Sequence, residues 1–189
     1  MASTKTTRAC VDSRSVGEPL NRLVAAASLA FAAATAALGC GGKDSFDGRV
    51  FHAGRMSFHT GPIPSTWERV SIDGPLVAFH DRTTNGAVDV YAQCGKDADD
   101  VPLVALRHHL LIGFTERAVK REETIPFDGR EALHTVLEAK LDGVPVSLDL
   151  YVLKKDGCVY DLVYVAPPSK FGNGVQGFEA FAAGFGTLG

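Results

Sequence analysis

Four side chains in the second half of the sequence are of types that could do acid and base chemistry or contact a partner: His134, Asp149, Tyr151 and Asp161. A titratable pair held in a cleft can give or take a proton during catalysis. The sequence contains no GxSxG, HExxH, CxxC or P-loop motif that would supply a nucleophile, a metal site or a phosphate cradle. We therefore interpret the four residues as a candidate interaction surface and expect no enzyme activity.

Metal and cofactor sites are not indicated either. The GxGxxG spacing in GFGTLG at 184–189 stands at the end of the sequence, where no helix follows to bind a phosphate. The six histidines are scattered, and the neighbours His108 and His109 would point about 100° apart on a helix. We predict no metal and no cofactor.

Composition and charge limit the class of protein. The chain has 189 residues, of which 46% are hydrophobic and 22% are charged, which is typical of one globular domain. Residues 40–189 carry 15 lysines and arginines against 20 aspartates and glutamates, a net charge of −5. Because nucleic acids and anionic membranes attract basic surfaces, this balance predicts that neither is a partner through charge.

An apolar segment near the N-terminus predicts export. After Arg22, 16 uncharged residues run from Leu23 to Leu38 and end in small residues. This order is typical of a secretory signal, and the segment is shorter than the roughly 20 residues of a spanning helix. We assign 1–39 to a signal peptide, since an amphipathic helix of the mature fold would need a polar stripe.

The sequence ALGC at 37–40 resembles the lipobox of bacterial lipoproteins, in which a cysteine receives lipid on its sulfur and becomes the mature N-terminus. The resemblance implies that Cys40 is lipidated and anchors the protein to a membrane. A rival cleavage site, ATA at 34–36, would release a soluble secreted or periplasmic protein. The glycines at 41 and 42 resemble those of lipoproteins sent to the outer membrane of Gram-negative cells, facing the periplasm.

The cysteine count favours lipidation. Removal of the signal deletes Cys10 and leaves Cys40, Cys94 and Cys158, an odd number for an oxidising compartment. If Cys40 carries lipid, Cys94 and Cys158 remain as one disulfide pair that closes a loop of about 65 residues. Two buried thiols are the alternative.

The rest of the sequence alternates strand and helix patterns. Glycine and polar residues predict a flexible tether over 40–54, followed by the folded domain over 55–189. Apolar runs predict four strands: 55–59, 67–72, 76–81 and 87–94. Asp99 or Asp100 would cap a helix whose apolar residues recur at helical spacing: Leu103, Leu106, Leu110 and Phe114.

The clearest pattern predicts a β-hairpin over 130–155, although a helix over 130–141 is a competing interpretation. Asp142-Gly143 is typical of a two-residue hairpin turn. Pairing outward from it gives an apolar row: 141 with 144, 139 with 146, 137 with 148, 135 with 150 and 133 with 152. The other face holds His134, Asp149 and Tyr151, and we expect it to be solvated or lightly covered.

The following turn admits two lengths. A two-residue loop, Asp156-Gly157, would place Asp161 on the apolar face opposite Val152, which is costly for an unpaired carboxylate. We therefore predict a three-residue loop over 155–157, which turns Asp161 outward and brings Cys158 to the face of Val152. Cys94 and Cys158 are then expected to face the same interior.

The last segment predicts a helix docked on the sheet, because apolar residues recur at helical spacing: Val175, Phe178, Ala182 and Phe185. This order of elements, with FHTGPIPSTW at 58–67 and phenylalanines near the end, resembles the PsbP-like α/β/α sandwich superfamily over about residues 55–188. That superfamily includes PsbP of photosystem II, DcrB-like lipoproteins and effector-associated chaperones. The resemblance implies an α+β fold, an antiparallel sheet with helices packed on it, and a role in binding or assembly.

Two functions remain open from the sequence. One is a lipid-anchored, non-catalytic binding or assembly module of the cell envelope, with an envelope protein as a possible partner. The other is a periplasmic small-ligand carrier or enzyme whose site is assembled from dispersed residues. An exposed apolar patch would favour the first, and a cavity lined by polar groups of perturbed pKa would favour the second.

Overall fold

The computed structural model describes residues 45–53, 56–72, 74, 76–95 and 100–188. The predicted signal segment 1–39 and the predicted lipidation site Cys40 lie outside the described residues. Within those ranges, no helix has the length and apolarity needed to cross a membrane.

Antiparallel strands dominate the described part of the chain, and two helices lie among them. The elements are β1 (Ser45–Phe46), β2 (Val50–Ala53), β3 (Met56–His59), β4 (Trp67–Val70), β5 (Leu76–Asp81), β6 (Gly86–Cys94), α1 (Leu103–Leu110), β7 (Phe114–Phe127), β8 (Arg130–Leu141), β9 (Val144–Lys155), β10 (Cys158–Ala166), α2 (Pro168–Ala183) and β11 (Gly186–Thr187). The large sheet has the order β4-β5-β6-β10-β9-β8-β7, and a small sheet has the order β1-β2-β3-β11. The expected α+β fold is confirmed.

The two helices pack on opposite faces of the large sheet. Leucines of α1 contact an aliphatic core, which defines the α1 face: Leu137, Leu148, Leu150, Val152 and Val163. Phenylalanines of α2 contact a larger core rich in aromatic residues, which defines the α2 face: Val88, Tyr151, Tyr160, Leu162 and Tyr164. The small sheet adds Phe51 and Phe58 to this second core. The central strands β9 and β10 are therefore covered on both faces.

The predicted hairpin is confirmed in its register. Asp142 and Gly143 have φ of 50° and 81°, the left-handed values that a type I′ turn requires at both central residues. Every predicted pair is present, from Leu141 with Val144 to Leu133 with Val152. The competing helix over 130–141 is wrong.

The predicted three-residue loop over 155–157 is wrong. Asp156 and Gly157 have φ of 54° and 71°, and Cys158 pairs with Lys155, so the loop has two residues. Asp161 consequently lies opposite Val152, on the α1 face. The same register carries the large side chains of β10 to the α2 face, where they are buried: Tyr160, Leu162 and Tyr164. Burial of these three side chains outweighs the cost of one partly covered carboxylate.

Two further predictions at element ends need correction. Residues 45–53 of the predicted tether form β1 and β2, and Phe51 is 1% exposed, because this segment completes the aromatic core. The first helix begins at Leu103 after Pro102, without a side-chain cap from Asp100, and Asp99 lies outside the described residues. It ends at Leu110, so Phe114 belongs to β7 and not to the helix.

The sequence did not reveal β7. Its side chains are mostly charged or polar and exposed, so the strand lacks apolar alternation. Two irregularities interrupt its pairing with β8, between Thr115 and Ala118 and between Val119 and Arg121. Charged side chains and bulges are typical of edge strands, because they oppose pairing with another chain.

The predicted C-terminal helix is confirmed as α2, despite its glycines. Phe178, Phe181 and Ala182 are buried against the sheet, and Phe185 is buried just beyond the helix end. Gly174 has a packing role, since a Cβ at this position would collide with the Tyr164 hydroxyl. The glycine thus lowers helix propensity but lets α2 approach β10 closely.

A disulfide joins Cys94 and Cys158, as predicted, over a sequence separation of 64 residues. The two cysteines are directly paired at the ends of β6 and β10, which are neighbours in the sheet but distant in sequence. Both lie on the α2 face rather than the face of Val152. The bond therefore closes the least local strand pairing of the large sheet.

We predict that replacing both cysteines, Cys94→Ala with Cys158→Ala, lowers the free energy of unfolding by about 4 kcal/mol, because the unfolded chain loses a long covalent loop. Urea unfolding measures this, and unfolding of the unchanged protein with a reductant is the control. Mass spectrometry first shows the intact bond in the unchanged protein. An equal urea midpoint for the double variant would then contradict the prediction.

Candidate functional site

The predicted interaction surface is buried or divided between faces. His134, Asp149 and Tyr151 lie on the α2 face with exposed fractions of 3%, 1% and 7%, and Phe178 of α2 packs on Tyr151. Asp161 lies on the opposite face. The expectation of a solvated surface formed by all four is therefore wrong. The three residues of the α2 face instead support a groove beside them.

His134 is held between two carboxylates. Its Nε2 lies 2.7 Å from Asp149 Oδ1, and its Nδ1 lies 3.6 Å from Glu123 Oε1. Glu123 also pairs with Arg121 on the exposed edge of β7. Asp149 Oδ2 is buried without a hydrogen-bond partner in the described residues. Both ring nitrogens of His134 are thus directed at protein carboxylates and not at an open space.

Tyr151 lies at the centre of a ring stack. Its ring is parallel to that of His134, with a centroid distance of 4.2 Å and an interplanar angle of 2°. Phe127 stacks on it at 5.3 Å, and Phe178 approaches at 5.8 Å. These contacts fix the direction of the Tyr151 hydroxyl. That hydroxyl makes no hydrogen bond within the part of the chain that the structure describes.

Burial and nearby charge keep the Tyr151 hydroxyl protonated. Burial raises its pKa, and the carboxylates of Asp149, Glu179 and Glu123 raise the pKa further, while Arg121 opposes them. The net effect moves the pKa of Tyr151 further above neutral pH. Tyr151 is therefore a hydrogen-bonding group and not a group poised to exchange a proton.

A groove of about 330 Å³, lined in part by Tyr151, lies between the end of β7 and the second half of α2. We call it the acidic aromatic groove. Its lining is 125–128, Tyr151, Glu179, Ala182, Ala183 and Phe185. It contains two carboxylates and three aromatic rings, but no lysine, arginine, serine, threonine or cysteine. The groove is therefore suited to binding.

The two carboxylates of the groove differ in their partners. Asp128 Oδ2 accepts hydrogen bonds from Lys155 Nζ at 2.8 Å and from Thr187 N at 2.9 Å. Burial acts to raise the pKa of Asp128, but the hydrogen bonds from Lys155 and Thr187 hold it below its usual value. Glu179 is exposed and forms no ion pair among the described residues. Glu179 is thus the uncompensated charge of the groove.

The same part of the molecule offers no metal site. Among the described residues, no three histidine, cysteine, aspartate or glutamate side chains come together in a way that could hold a metal ion. The exposed His108 and His109 lie on α1, which packs on the face of the large sheet opposite the groove.

Two larger cavities are less selective. One, of about 720 Å³, has charges of both signs from Arg130, Glu131, Lys155 and Asp156. The other, of about 580 Å³, lies around His59 and Gly61, where Gly61 N donates to Phe181 O at 2.8 Å. The second cavity also has an unpartnered buried hydroxyl, that of Thr60, and its charge comes from Arg49, but no carboxylate lines it.

Asp161 forms part of a carboxyl pair on the α1 face. It lies on β10 beside β6, diagonally across from Asp89. Burial, and then the charge of Asp89, raises the pKa of Asp161 to about 7. Burial raises the pKa of Asp89 to about 7 as well. Neither residue lines the three cavities above, so we interpret the pair as a cost of the β10 register.

Comparisons with known proteins concern the fold. No protein family and no curated protein matches the chain. Solved structures do match: cyanobacterial PsbP (CyanoP) from Synechocystis has a TM-score of 0.53 at 13% identity, covering 80% of this chain and 99% of its own. The chain has a PsbP-like fold. At 13% identity the likeness concerns the fold and not the roles of individual residues.

Two other solved structures agree. LpqN of Mycobacterium tuberculosis, described as involved in cell envelope biogenesis, has a TM-score of 0.50 at 12% identity, covering 73% of this chain and 88% of its own. A protein of Bacteroides thetaiotaomicron has a TM-score of 0.52 at 12% identity, covering 76% of this chain. The present chain spans 50% of that longer protein.

Sequence reasoning missed the groove because it missed β7, which supplies Phe127, and because Glu179 lies outside the apolar stripe of α2. One signal was available. The apolar row of the hairpin can be covered by α1, so the apolar stripe of α2 needed a second surface. The face of Tyr151 was the remaining choice.

We predict that Asp161→Asn stabilises the fold at pH 8 by at least about 1 kcal/mol and has little effect near pH 4. An unfolded aspartate has a pKa of about 3.9, whereas burial raises that of Asp161 to about 7. Between these values the folded state binds the extra proton, so stability falls as pH rises and the full cost is present above pH 7.

Urea unfolding at both pH values measures the effect. Asp142→Asn, at an exposed turn that tolerates asparagine, is the matched control and should show no such dependence. Equal effects of Asp161→Asn at both pH values would contradict the raised pKa of Asp161.

Proposed function

We propose that this chain is a non-catalytic binding module of the bacterial cell envelope, exported and anchored by lipid on Cys40, with the acidic aromatic groove as its binding site. The observation that carries the proposal is Tyr151, whose side chain is 7% exposed, is held by ring stacking, lines the groove, and has no hydrogen-bond partner among the described residues. A ligand in the groove can exchange a hydrogen bond with this hydroxyl in place of water.

The groove is a cavity lined by polar groups of perturbed pKa, Tyr151 and Asp128, which keeps a small-ligand carrier as the alternative, but the arrangement around His134 supports binding over catalysis. A general base must reach the proton that it takes, with a free ring nitrogen directed at the substrate. His134 is 3% exposed and has both nitrogens facing carboxylates. We therefore assign His134 and Asp149 the role of positioning Tyr151.

The envelope location is supported by independent features. Structural disulfides persist in oxidising compartments, and Cys94–Cys158 closes the centre of the large sheet. The lipobox resemblance at 37–40 supplies an anchor on the outer membrane. LpqN, which has the same fold, is described as involved in cell envelope biogenesis. Together these features favour an anchored envelope protein, with soluble secretion as the alternative.

A photocrosslinking experiment in intact cells tests the proposal. The full chain is expressed in a Gram-negative host with a benzophenone amino acid in place of Ala183, which lies at the groove, or of Ala87, an exposed alanine on the α1 face of β6. We expect a discrete crosslinked product from position 183 only, in the membrane fraction. With Cys40→Ser, the product should move to the soluble fraction.

Equal products from both positions, or a protein that remains in the cytosol, would contradict the proposal. Since Ala183 and Ala87 are both exposed alanines, unspecific crosslinking should be similar at the two positions.

A further inference from the structure

The acidic aromatic groove has an excess of negative charge. Glu179 contributes an unpaired carboxylate at its rim, and the Asp149 and Glu123 carboxylates act on Tyr151 from below. Among the nearby cations, Arg121 pairs with Glu123 and Lys155 with Asp128. A ligand that enters the groove therefore meets an excess of negative charge, and a cationic group is favoured.

The end of α2 adds to this field. The carboxyl end of a helix carries partial negative charge, and a cation near it is stabilised. The last turn of α2 contains no basic residue, and Ala182 and Ala183 of this turn line the groove. The helix end thus lacks the cation that commonly compensates it.

The other walls of the groove are apolar. Phe127 and Phe185 stack at 5.8 Å and continue the ring stack of Tyr151, while the alanines of α2 form the facing wall. The volume of about 330 Å³ is near the lower end of ligand pockets, which span about 300–1,000 Å³. It suits one long side chain, with an apolar stem and a charged end, better than a larger ligand.

The Tyr151 hydroxyl gives an independent indication of a ligand. Its side chain is 7% exposed, lines the groove, and has an oxygen with free lone pairs. An ammonium or guanidinium group can donate to this oxygen and pair with the Glu179 carboxylate. Both polar groups would then be satisfied by one cation.

We propose that the acidic aromatic groove binds a lysine or arginine side chain of a partner polypeptide, with the cationic group between Glu179 and Tyr151 and the stem along Phe127 and Phe185. This inference rests on the proposed binding function and names its ligand. The groove opens at the edge of the sheet, beside β7, where a polypeptide can reach it. Charge complementarity is the ground for this choice of occupant.

A peptide titration tests the inference. The full mature chain, with its disulfide intact, is titrated with Ac-Ala-Lys-Ala-NH₂, and binding is followed by ¹⁵N NMR. The neutral control peptide has norleucine in place of lysine. We expect shifts centred on Phe127, Tyr151 and Glu179, and binding of the norleucine peptide weaker by about tenfold, which corresponds to 1.4 kcal/mol.

Variants separate the site from net charge. Glu179→Gln keeps the shape and should weaken lysine peptide binding by about tenfold, and Tyr151→Phe, which keeps the ring stack, by about threefold. Asp142→Asn removes the same charge at the far turn of the hairpin and should change nothing. Added salt should weaken binding of the lysine peptide but not of the norleucine peptide.

Equal binding of both peptides would overturn the inference, and so would equal effects of Glu179→Gln and Asp142→Asn. Binding of n-butylammonium as tight as that of the lysine peptide would also overturn it, because the ligand would then be a free amine and not a polypeptide side chain. If the peptide fails while Ala183 still crosslinks in cells, the ligand class is wrong and the binding function stands. If crosslinking fails as well, both proposals fall.

Discussion

The two-residue turn at Asp156-Gly157 decides which side chains of β10 share a face with those of β9. Because successive residues of a strand point to opposite faces, a loop one residue longer would exchange the two sets. The turn places Tyr160, Leu162 and Tyr164 on the α2 face, where they join the aromatic core that includes Phe178. It also places Asp161 on the α1 face, where burial raises the pKa of its carboxyl to about 7. The groove exists because this register brings the aromatic core and α2 together.

The covering of the hairpin by α2 changes what its polar residues do. In solvent, His134, Asp149 and Tyr151 would be an ordinary polar strip. Under α2, Asp149 holds His134, His134 stacks on Tyr151, and Tyr151 directs its hydroxyl to the edge of the helix. Buried polar networks of this kind fix geometry more than they add stability. Their contribution here is a rigid floor for the groove, while the unpaired Glu179 remains at its rim.

The sequence predicted those features that depend on local chemistry. Asp142-Gly143 and the alternation beside it specified the hairpin register, and the cysteine count specified the disulfide. The errors arose where two local rules conflicted or where packing decided. At 155–157 the turn preference of Asp-Gly outweighed the burial of Asp161, and the wrong choice there hid the aromatic face of β10. The exposed edge strand β7 has no apolar period, so neither it nor Phe127 could be found from the pattern. Which face α2 covers depends on contacts between segments distant in sequence.

The central claim is that the polar row of the hairpin is buried, with Phe178 of α2 packed on Tyr151, and thereby forms the groove floor. Carbethoxylation of histidines in the native protein, followed by peptide mass spectrometry, tests it most directly. His108 and His109 are exposed on α1 and serve as internal controls in the same molecule. The account predicts rapid modification of these two and protection of His134 until the protein is unfolded. Modification of His134 at the rate of His108 and His109 in the folded protein would contradict it.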